Sequence, residues 1–296
     1  MTSRFSAYAA IDWSGAKGIR HKGIAVALCR EGRDAPDLIL PENQIRPTNR
    51  VWSREGVARW LVDQAAREPT LFGFDFSFAP PLVERGAYLP GEANVPAAAP
   101  AFWAYVDRLC AAEPDLCAAS FLETHHRRHF YFGAADGVKA GYMHLRRCEA
   151  QYNAGGGGKP STVYDAIGAA QVAKASFAGM RMLHHLHGRI PVWPFDGRTP
   201  PHAGSLVVEI YTSLAARAAG RPKGRSKMHD AGTLDAALAA LDTRPHTPLP
   251  RYEDHATDAI LTAAWLRASA GDPARWSPPS LTERIALTEG WTFGVV

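Results

Sequence analysis

The spacing of apolar residues along the chain predicts strands in its first part and helices towards its end. Short apolar runs bounded by turn-forming residues are typical of strands, and they lie at 7–13, 22–30, 37–45, 71–78 and 206–211. Apolar residues at three- and four-residue spacing follow the candidate N-cap Ser53 and recur over 233–241 and 254–270. Three strands, a helix and a fourth strand predict an α/β domain.

The stretch from about residue 80 to 205 departs from this pattern. It begins with two prolines, contains many glycine and proline breaks, and resumes the strand pattern only at 206–211. Its helix-like runs lie at roughly 101–112, 142–152 and 165–187. We therefore predict a single domain of residues 1–296 with a mostly helical insertion at about 80–205. The terminal EGWTFGVV predicts a closing strand or an ordered tail.

Composition predicts a folded, soluble protein of the cytoplasm. Hydrophobic residues are 46% and charged residues 21% of the 296 positions, which argues against intrinsic disorder. No run approaches the roughly 18 to 20 apolar residues of a membrane span, so no membrane partner is expected. Asp12 stands where a signal peptide would be apolar, and four cysteines are too few for a disulfide framework. The oligomeric state stays open.

Acidic residues interrupt the apolar pattern at four places. Asp12, Asp75 and Glu209 each stand in or near the end of an apolar strand, and burying an unpaired carboxylate costs several kcal/mol or shifts its pKa. Asp258 lies on the apolar stripe of the last long helix, with Asp254 one turn earlier. A divalent cation is the simplest common explanation, because it makes clustered acids into ligands.

The order of elements and several motifs resemble the ribonuclease-H-like fold, and more narrowly its predicted nucleases, a bacterial and archaeal group. The matching core segments are AIDWSGAK, FGFDFSFAPP, VEIYTS and DHATDAILTAAW. Those of the insertion and tail are MHLRRCEAQ, KPSTVYDAIGAAQV, VWPFD and TEGWTFGV. The resemblance covers nearly the whole chain and implies a mixed sheet of the order β-β-β-α-β…β-α.

The resemblance implies a two-metal nuclease site. Asp12 would bridge two Mg²⁺ or Mn²⁺ ions, and Asp75 and Asp258 would each hold one. Glu209 would be a further catalytic acid and Asp254 a ligand or rim residue. The segment from His255 to Asp258 is similar to the last-helix motif of Holliday-junction resolvases. His255 is therefore a candidate substrate contact.

Basic residues are candidates for holding a nucleic acid. The net charge of +4, from 33 basic and 29 acidic residues, permits such a partner without implying one. Lys17 ends the first loop, and Arg147 lies in a segment that matches the family. Together with 221–227 (RPKGRSK), these could contact phosphates, although a solvated surface explains them equally well. DNA, RNA and small phosphate esters are not distinguished.

Other functions stay open as alternatives. A non-catalytic nucleic-acid or nucleotide binder would use the same surface around these acids. A structural or regulatory partner protein is a third possibility. The glycines before Lys159 do not form a Walker A loop, since Asn153 and Pro160 replace required residues. Asp12 to Lys17 is similar to the first phosphate loop of sugar kinases and actin-like ATPases, but the second such loop is missing.

Histidines are concentrated in two short segments. His125 and His129 are four residues apart and could share a helix face, which raises the possibility of zinc. No matching cysteine or acid pair is evident nearby. We therefore expect these side chains, and those of the second set at 184–187, to be surface histidines.

Overall fold

Five strands form one mixed sheet in the part of the chain that the structure describes. The structure, a computed structural model, describes residues 4–41, 51–158, 161–168, 172–222 and 227–296. The strands are β1 (Ala7–Asp12), β2 (Ala25–Arg30), β3 (Asp37–Ile39), β4 (Thr70–Phe74) and β5 (Leu206–Glu209). Their order in the sheet is β3-β2-β1-β4-β5. The α/β class that the apolar pattern predicts is confirmed.

Strand direction brings the acids to one edge of the sheet. β1 pairs antiparallel with β2, and β2 with β3, while β1, β4 and β5 run parallel. Parallel strands end at the same edge, so the residues that follow them are neighbours in space. Asp12 ends β1, Asp75 follows β4 and Glu209 ends β5.

Helices cover both faces of the sheet. They are α1 (Arg54–Arg67), α2 (Ala99–Leu109), α3 (Arg147–Ala154), α4 (Val172–Leu186), α5 (Thr212–Ala218), α6 (Ala231–Ala239), α7 (Asp254–Ser269), α8 (Pro273–Trp276) and α9 (Glu283–Thr288). Side chains alternate between two cores, as the pleat of a strand requires. Ile11 belongs to the core under α1 and α4, and Ala10 to the core under α7. None of the helices in the described ranges combines the length and apolarity needed to cross a bilayer.

The β4 segment is shorter than its sequence pattern predicts. The run 71–78 predicts one strand, but β4 ends at Phe74. Beyond it the backbone bonds to side chains, since the Ser77 N–H donates to Ser176 Oγ at 3.1 Å and the Phe78 N–H to Glu209 Oε2 at 2.7 Å. The phenylalanines still enter one core together. Residues 42–45 of the predicted third strand lie outside the described residues.

In its described parts, the chain between β4 and β5 alternates helices with longer irregular stretches. It contains α2, α3 and α4, a π-helical turn at Phe121–His125 and short 3₁₀ turns. Its first residues and the start of α3 are held by Glu289, which is 1% exposed. Glu289 Oε1 accepts the N–H groups of Leu82 and Val83 at 2.7 Å, and Oε2 that of Arg147 at 2.8 Å. Side chains of α2 and α4 share one core with those of β1 and β4, so this segment packs against the sheet.

Candidate active site

Three carboxylates from separate elements line one pocket of about 500 Å³. They are Asp12 at the end of β1, Asp75 directly after β4 and Asp258 on α7. Ile11 pairs with Phe74 across β1 and β4, which places the two strand-end acids next to each other. The structure thus brings together three acids that lie up to 246 positions apart in the sequence.

Local contacts fix the acids in place. The Trp13 N–H donates to Asp75 Oδ1 at 3.3 Å, and the Asp75 N–H donates to the Ile11 carbonyl oxygen at 3.4 Å. α7 packs across β1 and β2, and Asp258 lies in its second turn. Asp258 is 8% exposed and Asp12 is 9% exposed. Both carboxylates are therefore largely shielded from bulk water.

The loop after β1 forms one wall of the pocket and is held from below by Arg54. This fully buried residue begins α1. Its guanidinium donates to the carbonyl oxygen of Ser14 at 2.8 Å and also to that of Ala16. A buried cation bonded to backbone carbonyls fixes a loop that has no regular structure of its own.

Helix α4 of the insertion forms part of the same wall. Trp13 Nε1 donates to the Ala175 carbonyl oxygen at 3.2 Å. Gly15 lies so close to α4 that a β carbon there would stand 2.0 Å from the carbonyl carbon of Lys174. Only glycine permits this approach, so the pocket depends on the contact between the core loop and the insertion.

Burial raises the pKa of all three pocket acids. For Asp75 burial is the largest cause and the Asp12 carboxylate the next, and its pKa lies well above the usual 3.8. Burial also raises the pKa of Asp12 and of Asp258, although the hydrogen bonds from His255 and Lys227 respectively oppose it. Asp12 raises the pKa of both other acids by repulsion. It is therefore the central acid of the pocket.

Two basic side chains partly neutralise the acids. His255 Nδ1 lies 3.0 Å from Asp12 Oδ1, and this hydrogen bond is the main cause that raises the pKa of His255. Lys227 Nζ donates to Asp258 Oδ2 at 2.7 Å and lies 3.5 Å from Asp254 Oδ2. Burial alone would lower the pKa of Lys227, but the bond to Asp258 raises it. Asp254, 41% exposed, stands at the rim.

Glu209 stands at the same edge of the sheet but does not line the pocket, and its contacts correct the catalytic role predicted for it. Its fully buried carboxylate accepts Arg146 Nη1 at 2.7 Å, the Phe78 N–H at 2.7 Å and the Thr292 hydroxyl at 2.6 Å. A second bond from Arg146 reaches its other oxygen. With both oxygens bonded inside the protein, Glu209 is a structural acid that the sequence could not distinguish from a ligand.

The predicted substrate contacts Lys17 and Arg147 also lie away from the acids. Lys17 Nζ pairs with Glu123 Oε2 at 2.8 Å, so its ammonium faces the insertion. Exposed Arg147 lines a separate pocket beside α9, with Thr282 and Ile285. Neither residue lines the acidic pocket, so a contact with substrate outside the pocket stays a prediction for both.

The carboxylate oxygens of the three pocket acids suit a hard divalent cation. Hydrogen bonds among the described residues engage Oδ1 of Asp12 and Asp75 and Oδ2 of Asp258. The second oxygen of each acid is the candidate ligand. The pocket acids are not a set whose ligand atoms all lie within 4.8 Å of one another.

A different cluster does meet that spacing. In the described ranges, the ligand atoms of Glu92, His126 and His129 all lie within 4.8 Å of one another, so this group could hold a metal ion. The sequence predicted surface histidines here. His125 is exposed as expected, but His126 is only 6% exposed. The three-residue spacing of His126 and His129 is a sequence sign that the two side chains can meet. Glu92 is too distant in the sequence for its part in the cluster to be predicted.

Comparisons with known proteins return nothing similar to this chain. No family model, no curated protein and no solved structure matches it. The geometry of the pocket and its charges is therefore the basis on which function is inferred.

Replacing Asp75 with asparagine is expected to stabilise the metal-free protein at pH 7 by at least about 1 kcal/mol. The amide oxygen keeps the bond from Trp13, while the buried charge and its repulsion with Asp12 are lost. Because the folded-state pKa is raised, the wild type loses stability as pH rises from about 3.8 through that pKa.

Urea unfolding in EDTA at pH 4 and pH 7 measures this effect. The Asp75→Asn variant should gain stability over wild type at pH 7 and much less at pH 4. Asp63→Asn, a change at an exposed acid on α1, is the matched control. Its free energy of unfolding should equal that of the wild type at both pH values. An equal stability of Asp75→Asn and wild type at both pH values would contradict the prediction.

Proposed function

We propose that this chain is a metal-dependent phosphodiester hydrolase, a nuclease, with a ribonuclease-H-like fold. The observation that carries the proposal is the convergence of Asp12, Asp75 and Asp258 on one pocket. The sheet order and the antiparallel-then-parallel pairing support the fold. Three acids whose pKa values are raised by burial and repulsion are costly without a counter-ion, and divalent cations offset that cost.

The neighbours of each acid support a different role for each of them. Asp12 interacts with both other acids and would be the ligand shared by two Mg²⁺ or Mn²⁺ ions. Asp75 and Asp258 would each hold one ion, and Asp254 would support the site from the rim. Such ions, when bound, activate a water molecule and stabilise the leaving oxygen of a phosphodiester.

The protein supplies positioning and charge around this site. His255 is hydrogen-bonded to Asp12 and orients its carboxylate, because Oδ1 is fixed by the imidazole. Lys227 is 47% exposed and lies at the pocket, where its ammonium can contact a phosphate oxygen from solvent. Phosphates of a nucleic-acid backbone are attracted by such a cation. A nucleic acid is therefore the proposed substrate class.

A cleavage assay on the full chain tests the proposal. The protein is incubated with single- and double-stranded DNA and RNA in Mg²⁺, in Mn²⁺ and in EDTA. We expect cleavage of at least one polymer that requires the divalent ion and stops in EDTA. Binding of nucleic acid that is unchanged by EDTA and gives no cleavage in any ion would overturn the proposal in favour of a non-catalytic binder.

Replacing Lys227 with glutamine is expected to tighten Mn²⁺ binding by about tenfold, or about 1.4 kcal/mol. The ammonium lies 2.7 Å from Asp258 Oδ2 and competes with a divalent cation for that carboxylate. Mn²⁺ titration followed by calorimetry measures the change. Lys22→Gln, the same substitution at an exposed lysine, should leave the affinity at the wild-type value. Unchanged affinity in Lys227→Gln would contradict this competition.

A further inference from the structure

A compact group of two imidazoles and a carboxylate lies in the insertion, outside the acidic pocket. His129 Nε2 is 2.9 Å from Glu92 Oε1, and His126 Nδ1 is 3.7 Å from the same oxygen. The His129 N–H donates to the His126 carbonyl oxygen at 3.0 Å, which holds the two histidines one turn apart. Glu92 reaches them from the turn before α2. Two remote segments thus converge on one point.

His126 carries the second observation. Its side chain is 7% exposed, and its Nδ1 atom is buried without a hydrogen-bond partner among the described residues. Buried polar atoms are nearly always bonded, so this atom requires an explanation. Its Nε2 atom lies 2.8 Å from the Tyr105 hydroxyl. If Nε2 carries the proton and donates it to Tyr105, Nδ1 presents a lone pair towards Glu92 and His129.

We propose that Glu92, His126 and His129 form a Zn²⁺ site with three protein ligands and one open position. Two imidazole nitrogens and one carboxylate oxygen are a donor set that zinc takes with a fourth, exchangeable ligand. Tetrahedral zinc with bonds of about 2.0–2.1 Å separates its ligand atoms by about 3.3 Å. The 2.9 Å and 3.7 Å distances to Glu92 Oε1 lie on either side of that value.

The surroundings are those of a metal ligand set. Tyr105 on α2 fixes the His126 ring from the far side, as hydrogen-bond partners of metal-bound histidines do. The buried Phe121 ring lies 4.7 Å from the His126 ring and shields it from water. Arg128 Nε donates to Glu92 Oε1 at 2.8 Å and is 62% exposed. That guanidinium can move to solvent when the cation takes its place on the carboxylate.

The two metal sites differ in chemistry. The three acids of the first pocket offer oxygen ligands, which suit Mg²⁺ or Mn²⁺, whereas the two imidazoles of the second cluster favour zinc. The test of zinc binding in the insertion is therefore independent of the test of the proposed nuclease activity. Glu92 lies 34 positions before His126, so bound zinc would join the turn at Glu92 to the segment at His126.

Zinc titration of the purified, chelator-treated full chain tests the proposal, with Zn²⁺ alone as the probe. We expect one tight site per chain, and a Co²⁺-substituted protein whose visible absorption is that of tetrahedral nitrogen and oxygen ligands. Glu92→Gln and His129→Gln should weaken zinc binding by about 100-fold or more. His125→Gln, at the exposed neighbouring histidine, should bind zinc as the wild type does.

Two further variants separate a zinc site in the insertion from a general effect on folding and from the acidic pocket. Tyr105→Phe removes only the hydroxyl that orients His126 and should weaken zinc binding by about tenfold or more. An Asp12→Asn, Asp75→Asn double variant should retain the tight zinc site. Absence of a tight zinc site in the wild type, or wild-type zinc affinity in both Glu92→Gln and His129→Gln, would show that the cluster is a hydrogen-bonded network only.

Discussion

The Asp12→Asn variant is expected to lose at least about a thousandfold in the rate of divalent-dependent nucleic-acid cleavage. Asp12 is the central acid of the pocket, so its loss removes the proposed shared ligand for both ions. The same change should leave the free energy of unfolding in EDTA unchanged or higher, because burial raises the pKa of this carboxylate and an amide carries no charge. Cleavage rates and urea unfolding curves measure the two effects.

Asp37→Asn provides the matched control for this variant. Asp37 is an exposed acid on β3 of the same sheet, so cleavage should stay close to the wild-type rate. A thousandfold loss of activity in Asp12→Asn with unchanged stability is the signature of a functional acid. A parallel loss of stability and activity would instead identify Asp12 as part of the structural framework.

Replacing Arg146 with methionine is expected to destabilise the fold by about 3–5 kcal/mol, the usual cost of breaking a buried ion pair from one side. Arg146, Glu149 and Glu209 are all fully buried. The Arg146 guanidinium bonds both carboxylates, so its removal leaves two acids without a cationic partner. Urea unfolding in EDTA at pH 7 measures the loss.

Arg147→Met is the matched control, since the neighbouring side chain is exposed. The backbone N–H of residue 147 still donates to Glu289 in that variant, and the free energy of unfolding should change by no more than about 0.5 kcal/mol. If the two methionine variants were equally stable, the network around Glu209 would contribute little, and the structural role given to this acid would be wrong.

The apolar pattern predicted most of the framework because its elements are locally determined. Ser53 begins α1 with the expected cap, its Oγ accepting the Gly56 N–H at 3.0 Å. Periodicity placed Asp258 on the side of α7 that packs against the sheet, and strand ends placed Asp12 and Asp75 together. These features depend on the periods of strand and helix, which are read directly from sequence.

What the sequence could not predict depends on partners that are remote along the chain. Glu209 interrupts an apolar strand as the pocket acids do, but its partner Arg146 is 63 positions away. Arg54 looks like an ordinary residue at a helix start, yet it is fully buried beneath the loop at Ser14. The apolar pattern identifies a charged residue in an unusual position, but only the fold shows which side chain neutralises its charge.

The contacts of Glu289 limit how the insertion can change during evolution. One carboxylate joins the first residues after β4 to the start of α3, so two widely separated points of this segment share an anchor near α9. If the segment were replaced by an unrelated one, the buried Glu289 carboxylate would lose these three N–H donors. Divergence should therefore concentrate at outer turns such as Lys139–Tyr142, whose residues are not buried, while Glu289 should be retained, because only its side chain is specific to the anchor.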